Sequence, residues 1–386
     1  MVIFDDIKYV GVNDFNIDLF ESQYRVPHGM AYNSYVILDE KTAVMDTADA
    51  AFGEQWQANV QSALAGRQAD YLVVTHMEPD HSANIALFMK KNTQTKIVSS
   101  AAAFRMMVQF FGTDFAERKV VVGDKAELDL GTRKLRFFTA PMVHWPEVVM
   151  AYDTKRKVLF SADAFGKFGA VDEKGEASDW VDEARRYYFG IVGKYGDQVQ
   201  ALLKKLVNVD VEVICSLHGP VLRGDLSCYL KLYDTWSSYT PETKGVFIAY
   251  TSVYGHTKEA ALLLQSLLKE KGVECVAADL SRADKAECLA NAFRYDKLVL
   301  ASTTYSMTVF PSMNAFIDAL VEHNYKKRRV AIIENGSWAP LAAKAMKGKI
   351  EKLDGIEFAK TLVTIKSSLN DSSRAKLQEL ASELVG

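Results

Sequence analysis

The chain has 386 residues, of which 49% are hydrophobic and 25% charged, with a formal net charge of −3. That length suits two or three domains with cores of their own, in an ordinary soluble composition. The near-neutral balance gives no electrostatic case for nucleic-acid binding, no apolar run approaches the ~18 residues of a membrane span, and no secretory leader opens the N-terminus.

In chain order, residues 35–38 and 42–46 read as a hairpin turning at Asp39-Glu-Lys41. The strand-like run Tyr71-Leu-Val-Val-Thr75 leads straight into His76-Met-Glu-Pro-Asp-His81, with four potential metal ligands in six residues. A helix is predicted over 81–91, and strands over 119–122, 134–138, 148–152 and 157–160, from β-branched and aromatic enrichment. Three further ligand-type residues lie near strand ends: His144 in Pro-Met-Val-His-Trp-Pro-Glu, Asp163 in Phe-Ser-Ala-Asp, and His218 in Cys-Ser-Leu-His-Gly-Pro. Helices are predicted over 198–208 and 222–235. Strands first and helices after suit sheets packed face to face with helices outside. Side chains converging from several strand ends can hold two ions with one carboxylate between them.

A polar stretch with Pro241, residues 236–243, reads as a linker, dividing the chain into domains 1–243 and 244–386. Beyond it strands and helices alternate: strands 245–250, 274–278, 297–302, 329–333 and 359–364, and helices 258–271, 284–293, 313–322, one from 341, and 372–384. That is the pattern of an α/β, doubly wound parallel sheet. The first strand ends in Thr251-Ser252-Val253-Tyr254-Gly255-His256-Thr257, whose hydroxyls and helix-start amides suit a phosphate. Ser302-Thr303-Thr304-Tyr305-Ser306-Met307 follows the third strand, and Glu334-Asn335-Gly336-Ser337-Trp338 the fourth. These loops meet at the topological switch point of such a sheet. Neither Gly-x-Gly-x-x-Gly nor a Walker sequence is present, which weakens a dinucleotide or ATP reading. The cysteines Cys215, Cys228, Cys275 and Cys288 form no Cys-x-x-Cys pair. This argues against a disulfide framework, cysteine-held zinc or a fused iron–sulfur module, and for a reducing cytoplasm.

The ligand cluster resembles the metallo-β-lactamase-like fold, whose zinc hydrolases carry His-x-His-x-Asp-His. Here Glu78 replaces the second histidine. A hard anionic oxygen beside Asp80 and Asp163 suits iron better than an all-imidazole set. With 62 residues between His81 and His144, and 18 between His144 and Asp163, the whole chain resembles the flavodiiron proteins. The resemblance implies an N-terminal αββα metallo-β-lactamase-like sandwich and a C-terminal flavodoxin-like sheet binding FMN. It implies that His76, Glu78 and His144 hold one iron, that Asp80, His81 and His218 hold the other, and that Asp163 bridges. In some members the histidine matching His81 turns away from the metal. The same resemblance puts His28, in Val-Pro-His-Gly-Met, and Tyr195, in Gly-Lys-Tyr-Gly, near the irons as catalytic candidates. The flavin loops depart from the usual pattern: His256 stands where Asn or Ser is common, and Glu-Asn-Gly-Ser-Trp replaces Ser-Tyr-Gly-Trp.

The activity so implied is reduction of dioxygen to water, nitric oxide to nitrous oxide, or both, with electrons passed from FMN to a diiron centre. A rubredoxin or, as in methanogen members, a reduced deazaflavin would be the donor. The assembly implied is a head-to-tail homodimer or a dimer of dimers. The rival readings are a dinuclear zinc hydrolase with an attached flavodoxin domain, and an electron carrier whose first domain is inactive.

Overall fold

The computed structural model describes residues 2–171 and 180–386. They divide into two compact units, one running to Tyr188 and resuming over Asp197–Asp234, the other comprising Phe189–Gly196 and Thr235–Gly386. Among the described residues, no helix is long and apolar enough to cross a membrane.

The first unit is a two-sheet sandwich. One sheet has seven strands in the order Val2–Phe4, Ile7–Tyr9, Tyr35–Ile37, Ala43–Met45, Tyr71–Val73, Lys96–Ser100, Lys119–Val122. The expected hairpin is there, with Tyr35 opposite Met45 and Ile37 opposite Ala43. From Ala43–Met45 onward the pairing is parallel. The second sheet has six strands: Glu127–Asp129, Lys134–Thr139, Val149–Asp153, Val158–Phe160, Val213–Cys215 and Leu222–Arg223. Ile7, Ile37, Met45, Val73 and Val98 of one sheet meet Leu135, Phe137, Ala151, Phe160 and Cys215 of the other in one core. The alternate residues Val36, Val44, Leu72 and Ile97 are buried too. Strands covered on both faces need such continuous apolar runs. The loops after Tyr71–Val73, Lys134–Thr139, Val158–Phe160 and Val213–Cys215 carry the ligand-type residues.

Two predicted helices differ in detail. The one over 81–91 is broken into Pro79–Ser82 and Ile85–Lys91. At the break the Asn84 side chain donates to the carbonyls of Ala48, at 2.8 Å, and Asp49, at 3.2 Å. The helix expected over 222–235 begins only at Ser227. Leu222–Arg223 pairs as a strand with Val213 and Ile214, and Gly224, at φ +75°, turns the chain out of it.

The second unit is a parallel sheet in the order Cys275–Asp279, Thr243–Tyr250, Tyr295–Tyr305, Arg328–Asn335, then a fifth, divided strand. This is the 2-1-3-4-5 order of flavodoxin-like sheets. Leu264 and Leu268 of helix His256–Glu270 pack with Leu377, Leu380 and Leu384 of helix Asp371–Val385 against Val246, Ile248, Val299 and Ile333. The strand expected over 359–364 is split into Ile356–Phe358 and Val363–Ile365. Its central amides, Lys360 and Thr361, leave the ladder and donate to the Glu383 carboxylate at 2.7 and 2.9 Å. Cys215, Cys275 and Cys288 are buried, Cys228 is exposed, and none is disulfide-bonded.

Candidate metal centre and cofactor pocket

Seven side chains from four loops converge at one edge of the first unit's sandwich. His76, Glu78, His144 and Asp163 form one group, and Asp80, His81 and His218 another; within each group the donor atoms lie within 4.8 Å of one another. The Glu78 Oε2 is 3.2 Å from His76 Nε2 and 3.1 Å from His144 Nε2. In the second group His81 Nε2 and His218 Nε2 face each other at 3.0 Å, with Asp80 Oδ2 at 3.3 and 3.4 Å. Asp163 reaches both: Oδ2 lies 3.0 Å from His144 Nε2, and Oδ1 lies 3.5 Å from His81 Nε2. Ligands around a single ion at ~2.1 Å sit about 3.4 Å apart, so these spacings fit metal coordination.

The electrostatics point the same way. Both Asp80 oxygens and Asp163 Oδ1 are buried without a hydrogen-bond partner among the described residues. Burial drives the Asp80 carboxyl well above its usual range, and the Glu78 and Asp163 charges add to the shift. Burial and the His218 ring push the His81 imidazole well below its ordinary value, leaving it neutral, the form that ligates. Burial opposes a charge on His144, yet Asp163 and Glu78 hold its imidazole up at about 9. A protonated imidazole here does the work of a cation, so metal binding must displace a proton. Three carboxylates gathered in a dry pocket cost several kcal/mol each unless positive charge answers them. A pair of divalent ions would answer the orphaned oxygens of Asp80 and Asp163.

Outer partners aim these ligands. His76 Nδ1 donates to Glu147 Oε1 at 2.7 Å, and the Met77 amide donates to the same oxygen at 2.8 Å. His218 Nδ1 donates to the Ala31 carbonyl at 2.8 Å. The Tyr187 hydroxyl donates to Asp163 Oδ2 at 2.9 Å. Asp46, held at φ +55°, accepts from the Thr75 amide and hydroxyl, each at 2.6 Å, and fixes the loop just before His76. Burial pushes the Asp46 carboxyl up to about 7. Glu21, at the tip of the hairpin Leu19–Phe20/Tyr24–Arg25, turns its carboxyl to Glu78; desolvation and then the Glu78 charge push it up to about 7.

In the second unit a cavity of about 650 Å³ opens at the carboxyl ends of the sheet, within the range of cofactor sites. Ser252, Val253, Tyr254, His256 and Thr257 line it from the first loop, and Thr303, Thr304, Tyr305, Ser306 and Met307 from the second. Asn335, Gly336, Ser337 and Trp338 complete the wall, together with Ala339 and Ser367. The rim is open: Tyr254 is 90% exposed and Trp338 89%. Thr251 and Ser302 do not line the cavity; their hydroxyls bond each other at 2.9 Å, fully buried beneath it. Gly255, at φ +97°, caps helix His256–Glu270 and leaves that helix start free of a side-chain cap.

Residues 30–219 match the ODP family beta lactamase. The anaerobic nitric oxide reductase flavorubredoxin of Vibrio vulnificus is 28% identical over 86% of this chain and 69% of its own length. The rubredoxin oxygen:oxidoreductase of Desulfovibrio gigas superposes over 100% of this chain and 97% of its own, with TM-score 0.93 and 24% identity. The flavodiiron protein of Giardia intestinalis superposes over 99% of this chain and 96% of its own, with TM-score 0.92 and 24% identity. The chain shares the two-domain fold of the flavodiiron proteins. Its two units are accordingly a metallo-β-lactamase-like sandwich and a flavodoxin-like sheet.

The two remaining sequence candidates, His28 and Tyr195, are not among the grouped donors. His28 is exposed, and its carbonyl accepts from the Ala170 amide at 2.9 Å. Tyr195 is half-buried in the turn Gly193–Tyr195 of the second unit. The tyrosine whose hydroxyl meets a donor residue is Tyr187. Sequence reasoning also missed Glu147, Asp46, Glu21 and Ser367. Glu147 carried a signal, a carboxylate three residues beyond His144, and so did Ser367, which follows the last strand of the sheet.

Proposed function

We propose that this chain is a flavodiiron oxidoreductase that passes electrons from FMN to a non-haem diiron centre and reduces dioxygen to water, nitric oxide to nitrous oxide, or both. The observation that carries this is the single carboxylate, Asp163, set between two groups of donors in a chain that also builds a flavin-type cavity. When bound, the flavin and the iron pair store two electrons each, which matches the four needed to take dioxygen to water; nitric oxide needs two per pair of molecules.

The residues have distinct parts. His76, Glu78 and His144 would hold one iron and Asp80, His81 and His218 the other, with Asp163 shared. Glu78 supplies the hard oxygen donor that favours iron over zinc. Tyr187 Oη keeps a proton on the outer side of Asp163 Oδ2 and so orients that carboxylate. In the cavity, helix-start amides near Gly255 and the hydroxyls of Ser252 and Thr257 would take the phosphate, and Tyr254 and Trp338 offer ring faces to the isoalloxazine.

The working division assigns residues 1–243 to the metal chemistry and 244–386 to the flavin. A rubredoxin-type donor fits the relatives' names, with a reduced deazaflavin as the alternative. The exposed rim of Tyr254, Met307 and Trp338 supports a covering surface from a second copy, in a head-to-tail homodimer or a dimer of dimers. Four unpaired cysteines support a reducing, cytoplasmic setting.

Metal analysis, flavin absorbance and anaerobic single-turnover kinetics of the reduced protein with each gas test the proposal together. Two irons and one flavin per chain, with consumption of at least one gas, are expected. Zinc without flavin would replace the proposal with a hydrolase. A fully loaded protein inert to both gases would replace it with an electron carrier.

A further inference from the structure

The three histidines with described outer partners, or none, are held in three different ways. His76 Nδ1 meets a carboxylate, Glu147, at 2.7 Å, and both side chains are wholly buried. His218 Nδ1 meets only the neutral carbonyl of Ala31, at 2.8 Å. His81 Nδ1 is buried and has no hydrogen-bond partner among the described residues. We infer that Glu147 makes the two metal positions unequal: the position framed by His76, Glu78, His144 and Asp163 fills first and holds its ion more tightly than the one framed by Asp80, His81 and His218.

The reasoning concerns the basicity and freedom of each ring. A carboxylate on Nδ1–H fixes the proton there, leaves the Nε2 lone pair facing the pocket, and polarises the ring toward the ion. A carbonyl fixes the same tautomer with less charge behind it. An orphaned Nδ1 fixes nothing, so His81 must be ordered by the ion itself. Glu147 is anchored for this task, because its Oε1 also accepts the Met77 amide at 2.8 Å. Its Oε2 has no partner among the described residues, so no other donor draws off its charge. Each position has one carboxylate of its own, Glu78 or Asp80, and faces one oxygen of Asp163, so the outer partners of the rings set the two apart. Glu147 is therefore a positioning residue that acts through His76.

The inference rests on the metal-centre reading, and its test is arranged so that the two fail differently. The full-length protein, stripped of metal by chelation with its flavin retained, is titrated anaerobically with cobalt(II), followed by visible absorption and calorimetry. Wild type is expected to bind two equivalents in two steps, the first at least tenfold tighter. Glu147→Gln should weaken the tight step by ~10–100-fold, the usual effect of losing such an outer partner, and move the weak step by less than about threefold. His144→Ala should abolish the tight step and His218→Ala the weak one; this assignment needs no change at Glu147 and stands if Glu147→Gln does not fold. Loss of the tight step in His218→Ala, or equal weakening of both steps in Glu147→Gln, overturns the inference while leaving a metal centre. A wild-type protein that binds no cobalt overturns the metal-centre reading and the inference with it.

Discussion

In the first unit six of the seven donor side chains are buried, Glu78 being half-buried, and several of their polar atoms have no partner among the described residues. In the second, several polar groups around and beneath the cavity bond one another: Thr251 with Ser302, Ser337 with Ser367 at 2.8 Å, and Asn335 with the Ser367 backbone. One site is incomplete without ions; the other is a finished structure with an open, aromatic rim. An ion in the first acts as a structural element, whereas a cofactor in the second is a guest.

The largest expected effect breaks the first site at its shared residue. Asp163→Ala should lower the metal content from two per chain to one or none and cut gas reduction by on the order of 10³-fold, equivalent to several kcal/mol of lost stabilisation. Flavin content should not change; if it fell in parallel, the two sites would not be independent. Chelation comes next. Removing ions present at about a thousand times their dissociation constant should destabilise the metallo-β-lactamase-like unit by ~4 kcal/mol for each ion lost. Scanning calorimetry should show its transition falling while that of the flavodoxin-like unit stays in place. A common shift of both would end the contrast.

How much of this was legible in the sequence depended on range. His-x-Glu-x-Asp-His is local, and a strand running into a loop displays it directly. His144, Asp163 and His218 follow strand ends, so the topology of the fold brings them in. Tyr187 gave no such signal: it ends helix Trp180–Tyr187 just before the wider-turned segment Tyr188–Val192, and no apolar period encodes which way that residue faces. The flavin loops were legible as loops, but Thr251 and Ser302 turn their hydroxyls to each other, and only packing decides that. The divided fifth strand was hidden because the carboxylate that draws its amides away comes from Glu383, in the last helix.

Smaller effects sharpen the contrast from the other side. Trp338→Ala removes an exposed ring face and should weaken FMN binding several-fold, about 1 kcal/mol, in a fluorescence titration, with metal content unchanged. The smallest effect concerns Glu383. Burial works to raise its pKa, but the Lys360 and Thr361 amides and Arg329 hold it at about 2, below its ordinary 4.5. Its contribution is complete above about pH 4.5 and is lost as pH falls toward 2. Glu383→Gln should therefore flatten the acid limb of the flavodoxin-like unit's stability curve, by ~1 kcal/mol or less for one half-buried carboxylate near the surface.

The placement of the four cysteines has a consequence for endurance. Chemical attack on sulfur by nitrosating or peroxidic by-products needs the thiolate. Burial pushes Cys275 and Cys288 up to about 12, and Cys215 higher still, so at neutral pH these three stay un-ionised. Only Cys228 stands in solvent. If the proposed gas reduction holds, the protein keeps three of its four thiols sheltered from the damage those gases can do.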